Sequence, residues 1–208
     1  IMAGNPALAL TVDEWRSKFE SWIERGDPQS LLQANVFFDL RPLWGDATLA
    51  ETLRADVLAR AAANERFLKQ LAHNALAVEP PLNWLGNLSA TDDVEGRRVI
   101  DLKRFGVRPF VDAARVLALA HACTATSTVE RLRALAAAGK LQAREVTEWA
   151  DAFSFVQGLR MRAQERSRIA SAPNAVAIDD LSPMDARILK ECFRQARKLQ
   201  QRLAVDYP

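Results

Sequence analysis

Polar and apolar positions alternate along this chain almost everywhere with the period of a helix. Thr11-Val-Asp-Glu14 has the form of a capping box, with Trp15, Phe19, Trp22 and Ile23 following on one face, so a helix is predicted from there to Gly26. Asp27 as N-cap and Pro28 at the first helical position predict a second helix to about Leu40. Pro42 removes a backbone donor and disfavours the helical conformation at Arg41, so the chain should break within FFDLRPLWGD, residues 37–46. Asp46 should cap an Ala-rich helical segment over residues 47–79, with an interruption near Asn64. Residues 80–107 hold Pro80-Pro81, glycines and Asp92-Asp93, and only Val99 to Lys103 reads as a short strand. Helical periodicity resumes over 109–122, 128–138 (stopped by Gly139) and 142–169, where Val146, Trp149, Phe153, Val156 and Arg160 share a side. Ser182-Pro183 opens a last helix with an apolar stripe from Met184 through Ile188, Cys192, Ala196 and Leu199 to Leu203. The fold class predicted is all-α: a bundle of about six to eight helices with one irregular segment that holds a short strand pair. We expect a single domain, with an N-terminal half at 11–79, the irregular connection at 80–107 and C-terminal helices at 108–205.

Composition agrees with this picture. Apolar residues make up 49% and charged residues 26% of the 208, as in an ordinary globular chain. A net charge of +2 is too mild to argue for nucleic acid. Cys123 and Cys192 stand alone without a spacing pattern, which suits a reducing cytoplasmic setting, and no apolar run approaches a membrane span. Ile1 ahead of Met2 suggests either a tag residue or a piece of a longer protein.

Most candidate chemistry fails on spacing. Gly139-Lys140 lacks the other residues of a phosphate-cradling loop, and His121-x-Cys123 supplies too few ligands for zinc, so no metal site is expected. The run Arg160, Arg162, Arg166, Arg168 has no interleaved aromatics and reads as a solvated face. Neither Asp92-Asp93 nor Asp179-Asp180 follows a Gly-Ser turn, so two-metal nucleotidyl transfer is beyond this chain alone. Trp44, Trp84 and Trp149 read as core residues. Arg115 and His121 resemble the paired residues of helical HEPN-type ribonucleases, although Val116 stands where those enzymes carry a polar residue. That gives one alternative, a standalone ribonuclease; a helical dimerisation or interaction module without a small ligand is another.

A broader set of landmarks points elsewhere. Met2-Ala-Gly-Asn-Pro6, Phe37-Phe-Asp-Leu-Arg41 with Gly45-Asp46, Asp101-Leu-Lys103, Pro109-x-Val-Asp112 with Ala114-Arg115, Glu130-Arg131-Leu132 and Leu181-Ser182 occur in order across nearly the whole chain. Together they resemble the putative nucleotidyltransferase substrate-binding domain. In that family the helical module ends bacterial signalling proteins, after CBS or cyclic-nucleotide-binding modules and a catalytic domain similar to that of PII uridylyltransferase. The resemblance implies a non-catalytic domain forming one wall of a nucleotide and acceptor cleft. It implies a transferase domain upstream that holds Mg²⁺ and an NTP, with an acceptor such as a PII-like protein, and no cofactor bound by this segment itself.

Within that frame the candidate substrate contacts are Asp39, Arg41, Asp46, Asp101, Lys103, Asp112, Arg115 and Arg131. Arg41 offers planar, bidentate donors to a phosphate, and Lys103 a point charge on a loop. Plainer readings stand beside these: an Asp39–Arg41 or Arg41–Asp46 ion pair pinning the corner, Asp46 as a cap, Lys103 as a solvated loop residue, and Asp112–Arg115 as an intrahelical pair. Arg131 lies near a helix start, where the dipole disfavours it, so an anion should compensate it.

Overall fold

A computed structural model of the chain describes residues 5–26, 31, 37–92, 96–166 and 173–208. Helix α1 spans Val12–Arg25 and starts at the capping box read from the sequence: Glu14 N–H donates to Thr11 Oγ1 at 3.2 Å, and Glu14 Oε2 accepts from Thr11 N–H at 2.7 Å. The second predicted helix, over 27–40, lies for the most part outside the described residues. The Ala-rich segment is two helices, α2 (Ala47–Ala63) and α3 (Glu65–Leu76). Asn64 separates them, its side chain accepting from Phe67 N–H at 2.9 Å as the cap of α3.

Three short antiparallel strands follow: β1 (Thr91–Asp92), β2 (Arg98–Asp101) and β3 (Ala175–Ala177), in that order across the sheet. Val99 pairs with Thr91 on one side and Ala177 on the other, while Ile100, opposite Val176, points into the core. The central strand was legible from its β-branched residues; β3, at three residues, is too short for any alternation to register. Between β2 and the next helix, Leu102–Val107 forms a π-helical turn capped by Asp101, whose Oδ1 accepts from Arg104 N–H at 2.9 Å. Gly106 packs this turn against a long helix, α6 (Ala143–Arg166), where a Cβ on Gly106 would lie 2.6 Å from Val156 Cγ1. Nothing larger than hydrogen fits there.

The turn runs directly into α4 (Arg108–Ala120), which occupies the centre and buries Phe110, Ala113, Ala114 and Val116. It packs against α2, α3, α5 (Thr128–Ala137) and the last helix, α7 (Pro183–Asp206). A helix with neighbours on every side needs small residues, and the alanines of α4 supply them. Trp149, Phe193 and Leu199 fill the space between α6 and α7, each burying enough apolar area to contribute about 2–3 kcal/mol. Seven α-helices and one small sheet among the described residues make the molecule predominantly α, as the periodicity predicts. Two of the tryptophans depart from expectation. Trp149 is core, but Trp44 is 97% exposed and Trp84 91% exposed, because both stand on tight turns whose neighbouring glycines, Gly45 and Gly86, adopt positive φ and turn the chain outward. No described helix is long and apolar enough to cross a membrane.

Candidate functional site

The two phenylalanines of FFDLRPLWGD anchor its first half. Phe37 stacks on Trp22 (ring centroids 5.4 Å apart) and lies 5.0 Å from Trp15, while Phe38 sits between Phe19 and Phe67 at 5.8 and 5.9 Å. With both rings fixed on the α1 and α3 side, the next residue, Asp39, turns its carboxylate towards α4 and α5. Asp39 Oδ2 accepts from Arg115 Nη2 at 2.7 Å, and Oδ1 accepts from Arg131 Nη2. One carboxylate therefore ties together residues 76 and 92 positions away in sequence.

Both arginines are deeply set, Arg115 8% and Arg131 3% exposed. Arg115 Nη1 also reaches Asp112 Oδ1 at 3.4 Å, and Asp112 Oδ2 accepts from Arg108 Nε at 2.9 Å. Arg131 folds back so that its Nε donates to the Ala125 carbonyl at 3.1 Å, in the loop joining α4 and α5. The same carbonyl accepts from Arg54 Nη2 at 3.3 Å, which brings a third guanidinium in from α2. Four arginines (54, 108, 115, 131) thus meet two aspartates (39 and 112) in one partly buried cluster.

The electrostatics follow from this imbalance. Burial pushes the Asp39 carboxyl upward, but the hydrogen bonds and charges of Arg115 and Arg131 outweigh it and leave its pKa lowered. For Arg54 the pKa is lowered, first by burial and then by repulsion from Arg131, with Asp39 and Cys123 opposing weakly. Nε of Arg54 and Nε of Arg115 are buried without a hydrogen-bond partner. Such an orphaned donor costs on the order of 1–3 kcal/mol.

The remaining candidates lie elsewhere or do local work. Arg41 is exposed and makes no hydrogen bond or ion pair with a described residue, so neither form of the expected corner ion pair is present. Residues 40–43 around Pro42 have no regular secondary structure, and of the two side chains only Asp39 joins the arginines. Asp46 caps α2, accepting from Thr48 N–H at 2.9 Å and from its hydroxyl at 2.7 Å. Asp101 caps the π-helical turn, and Lys103 is exposed upon it. The anion opposite Arg131 is Asp39. Arg54 was not anticipated, though one signal pointed to it: it precedes Leu58 by four positions and Ala61 by seven, both buried, which puts it on the inward stripe of α2.

His121 is exposed at the end of α4, its pKa lowered first by burial and then by Lys140, with Arg202 and Asp206 also acting on it. These neighbours are disjoint from those of Arg115, which bonds to Asp39 and Asp112. A ribonuclease centre needs both side chains on one phosphate, and this arrangement does not support that alternative.

The scaffold is predominantly α, and its basic cluster is built from side chains on separate helices. The chain belongs to the family described as "Putative nucleotidyltransferase substrate binding domain", whose model matches residues 65–207. The match begins at Glu65, so the FFDLRPLWGD segment and Arg54 lie outside it. No curated protein and no solved structure matches the chain.

Proposed function

We propose that this chain is the non-catalytic, substrate-facing domain of a uridylyltransferase-like nucleotidyltransferase, forming one wall of the cleft that receives nucleotide and acceptor. The observation that carries the reading is the arginine cluster closed by Asp39, on a chain belonging to a substrate-binding family. Guanidinium groups match the phosphates of an NTP in charge and in planar donor geometry. Among the described residues there is no group of three or more His, Cys, Asp or Glu side chains able to hold a metal ion. We assign the Mg²⁺ of a two-metal transfer, with the NTP triphosphate it neutralises, to a transferase domain of the same polypeptide.

Arg41 supplies the test, because it is exposed and has no partner among the described residues, so its loss should leave the fold intact. In the polypeptide that carries the transferase domain, Arg41→Ala should leave thermal unfolding unchanged and lower kcat/KM for labelled-nucleotide transfer about tenfold, the loss of one charge-assisted contact. Unchanged kinetics would remove the 39–46 corner from the cleft.

A further inference from the structure

Arg54 and Arg131 donate to the same oxygen, the Ala125 carbonyl, at 3.3 and 3.1 Å, so two guanidinium groups lie side by side. Arg131 is paired with Asp39; among the described residues Arg54 has no carboxylate within ion-pair distance, and Asp39 reaches it only through its charge. It uses one of its donors, its Nε is buried and unpartnered, and it feels the repulsion of Arg131. Behind them the Nε of Arg115, a side chain more than nine-tenths buried, is unpartnered as well. Like charges held together at partial burial are unfavourable unless an anion lies against them. The Ala125 loop also leads into the N-terminus of α5, capped at Ser127, whose dipole adds positive potential at the same place. Cys123, at the start of the same loop, is partly exposed.

We infer that Arg54 and Arg131, with the 123–127 loop, bind a phosphate group, Asp39 serving as the built-in counter-ion that holds Arg131 and Arg115 in position. An incoming phosphate supplies acceptors for the unused donors of Arg54 and the negative charge that the cluster lacks. This rests on the substrate-binding reading and deepens it, by adding an anion contact at the buried cluster to the one at the exposed corner. Phosphate here means a terminal or bridging phosphate of a nucleoside triphosphate, or the phosphate of a phosphorylated acceptor.

Calorimetric titration of the whole chain with inorganic phosphate, pyrophosphate and UTP, in roughly 0.15 M salt to screen surface charge, reads the site directly. Saturable binding is expected. Arg54→Met, which keeps the apolar stem and deletes the donors, should weaken it about tenfold or more, and Arg54→Lys less. UTP binding well above pyrophosphate identifies a nucleotide; parity identifies the phosphate alone. No saturable binding of any of the three overturns the inference, as does Arg54→Met binding within about twofold of the unsubstituted chain. If Arg54→Met does not fold, Arg54→Gln, which removes the charge, decides on the same criterion. The titration uses this chain without any transferase domain, so its failure and the failure of the transfer reading are separate results.

Discussion

Asp39 is the residue on which the cluster turns. Its folded pKa is lowered, so it contributes stability that is fully present above the unfolded carboxylate range and is lost as pH falls through the folded value. Asp39→Asn should cost about 2 kcal/mol at neutral pH, between the value of an exposed ion pair and a buried one because the carboxylate is partly open to solvent. Urea unfolding should show that gap narrowing as pH falls below the ordinary carboxylate range, as the native aspartate protonates. A gap independent of pH would mean that the carboxylate charge contributes nothing. The sequence made Asp39, Arg115 and Arg131 candidates one at a time, through landmarks and the dipole argument. Their meeting was not readable, since pairs 76 and 92 residues apart leave no local pattern. Arg41 shows the reverse: adjacency to Asp39 suggested a shared role, and Arg41 has no bond to Asp39 or to any other described residue.

At the scale of elements, legibility followed length. The helices opened by a cap read from the sequence start where expected, at Val12, Ala47, Thr128 and Pro183, because every local preference there agreed with the packing. The Ala-rich segment, by contrast, ends at Leu76, three residues short of the expected 79. The π-helical turn at Leu102–Val107 was missed, since its wider winding obeys neither a period of two nor one of 3.6. It is set by tertiary packing, with Gly106 against Val156 as the deciding contact. Gly106→Ala should lower stability by about 1–3 kcal/mol, the range for overpacking a core, because Val156 is fully buried and cannot step aside. A melting temperature equal to that of the unsubstituted protein would show that α6 yields by a few tenths of an ångström instead. The exposed tryptophans belong to this scale too: composition places tryptophan inside, and turn geometry overrules it at Trp44 and Trp84.

Over the whole molecule, the Asp39 contact joins the N-terminal helices to the segment that defines the family. That segment starts at Glu65, yet two arginines within it take their counter-charge from residue 39. A chain shortened to 65–208 would leave Arg115 and Arg131 facing no Asp39 and uncover the side of Phe67 that meets Phe38. Losing Asp39 costs about 2 kcal/mol and uncovering Phe67 adds to it, a large part of a domain's stability of roughly 5–15 kcal/mol. We expect the shortened chain to lack a cooperative thermal transition by circular dichroism; a sharp transition would show that residues 65–208 fold by themselves. The same contact bears on descent. Acid and arginines stabilise one another only as a set, so a lineage that recombines the family segment onto a different N-terminal partner must bring a carboxylate to the same spot or lose the arginines. The unit of inheritance is then wider than the stretch by which relatives are recognised.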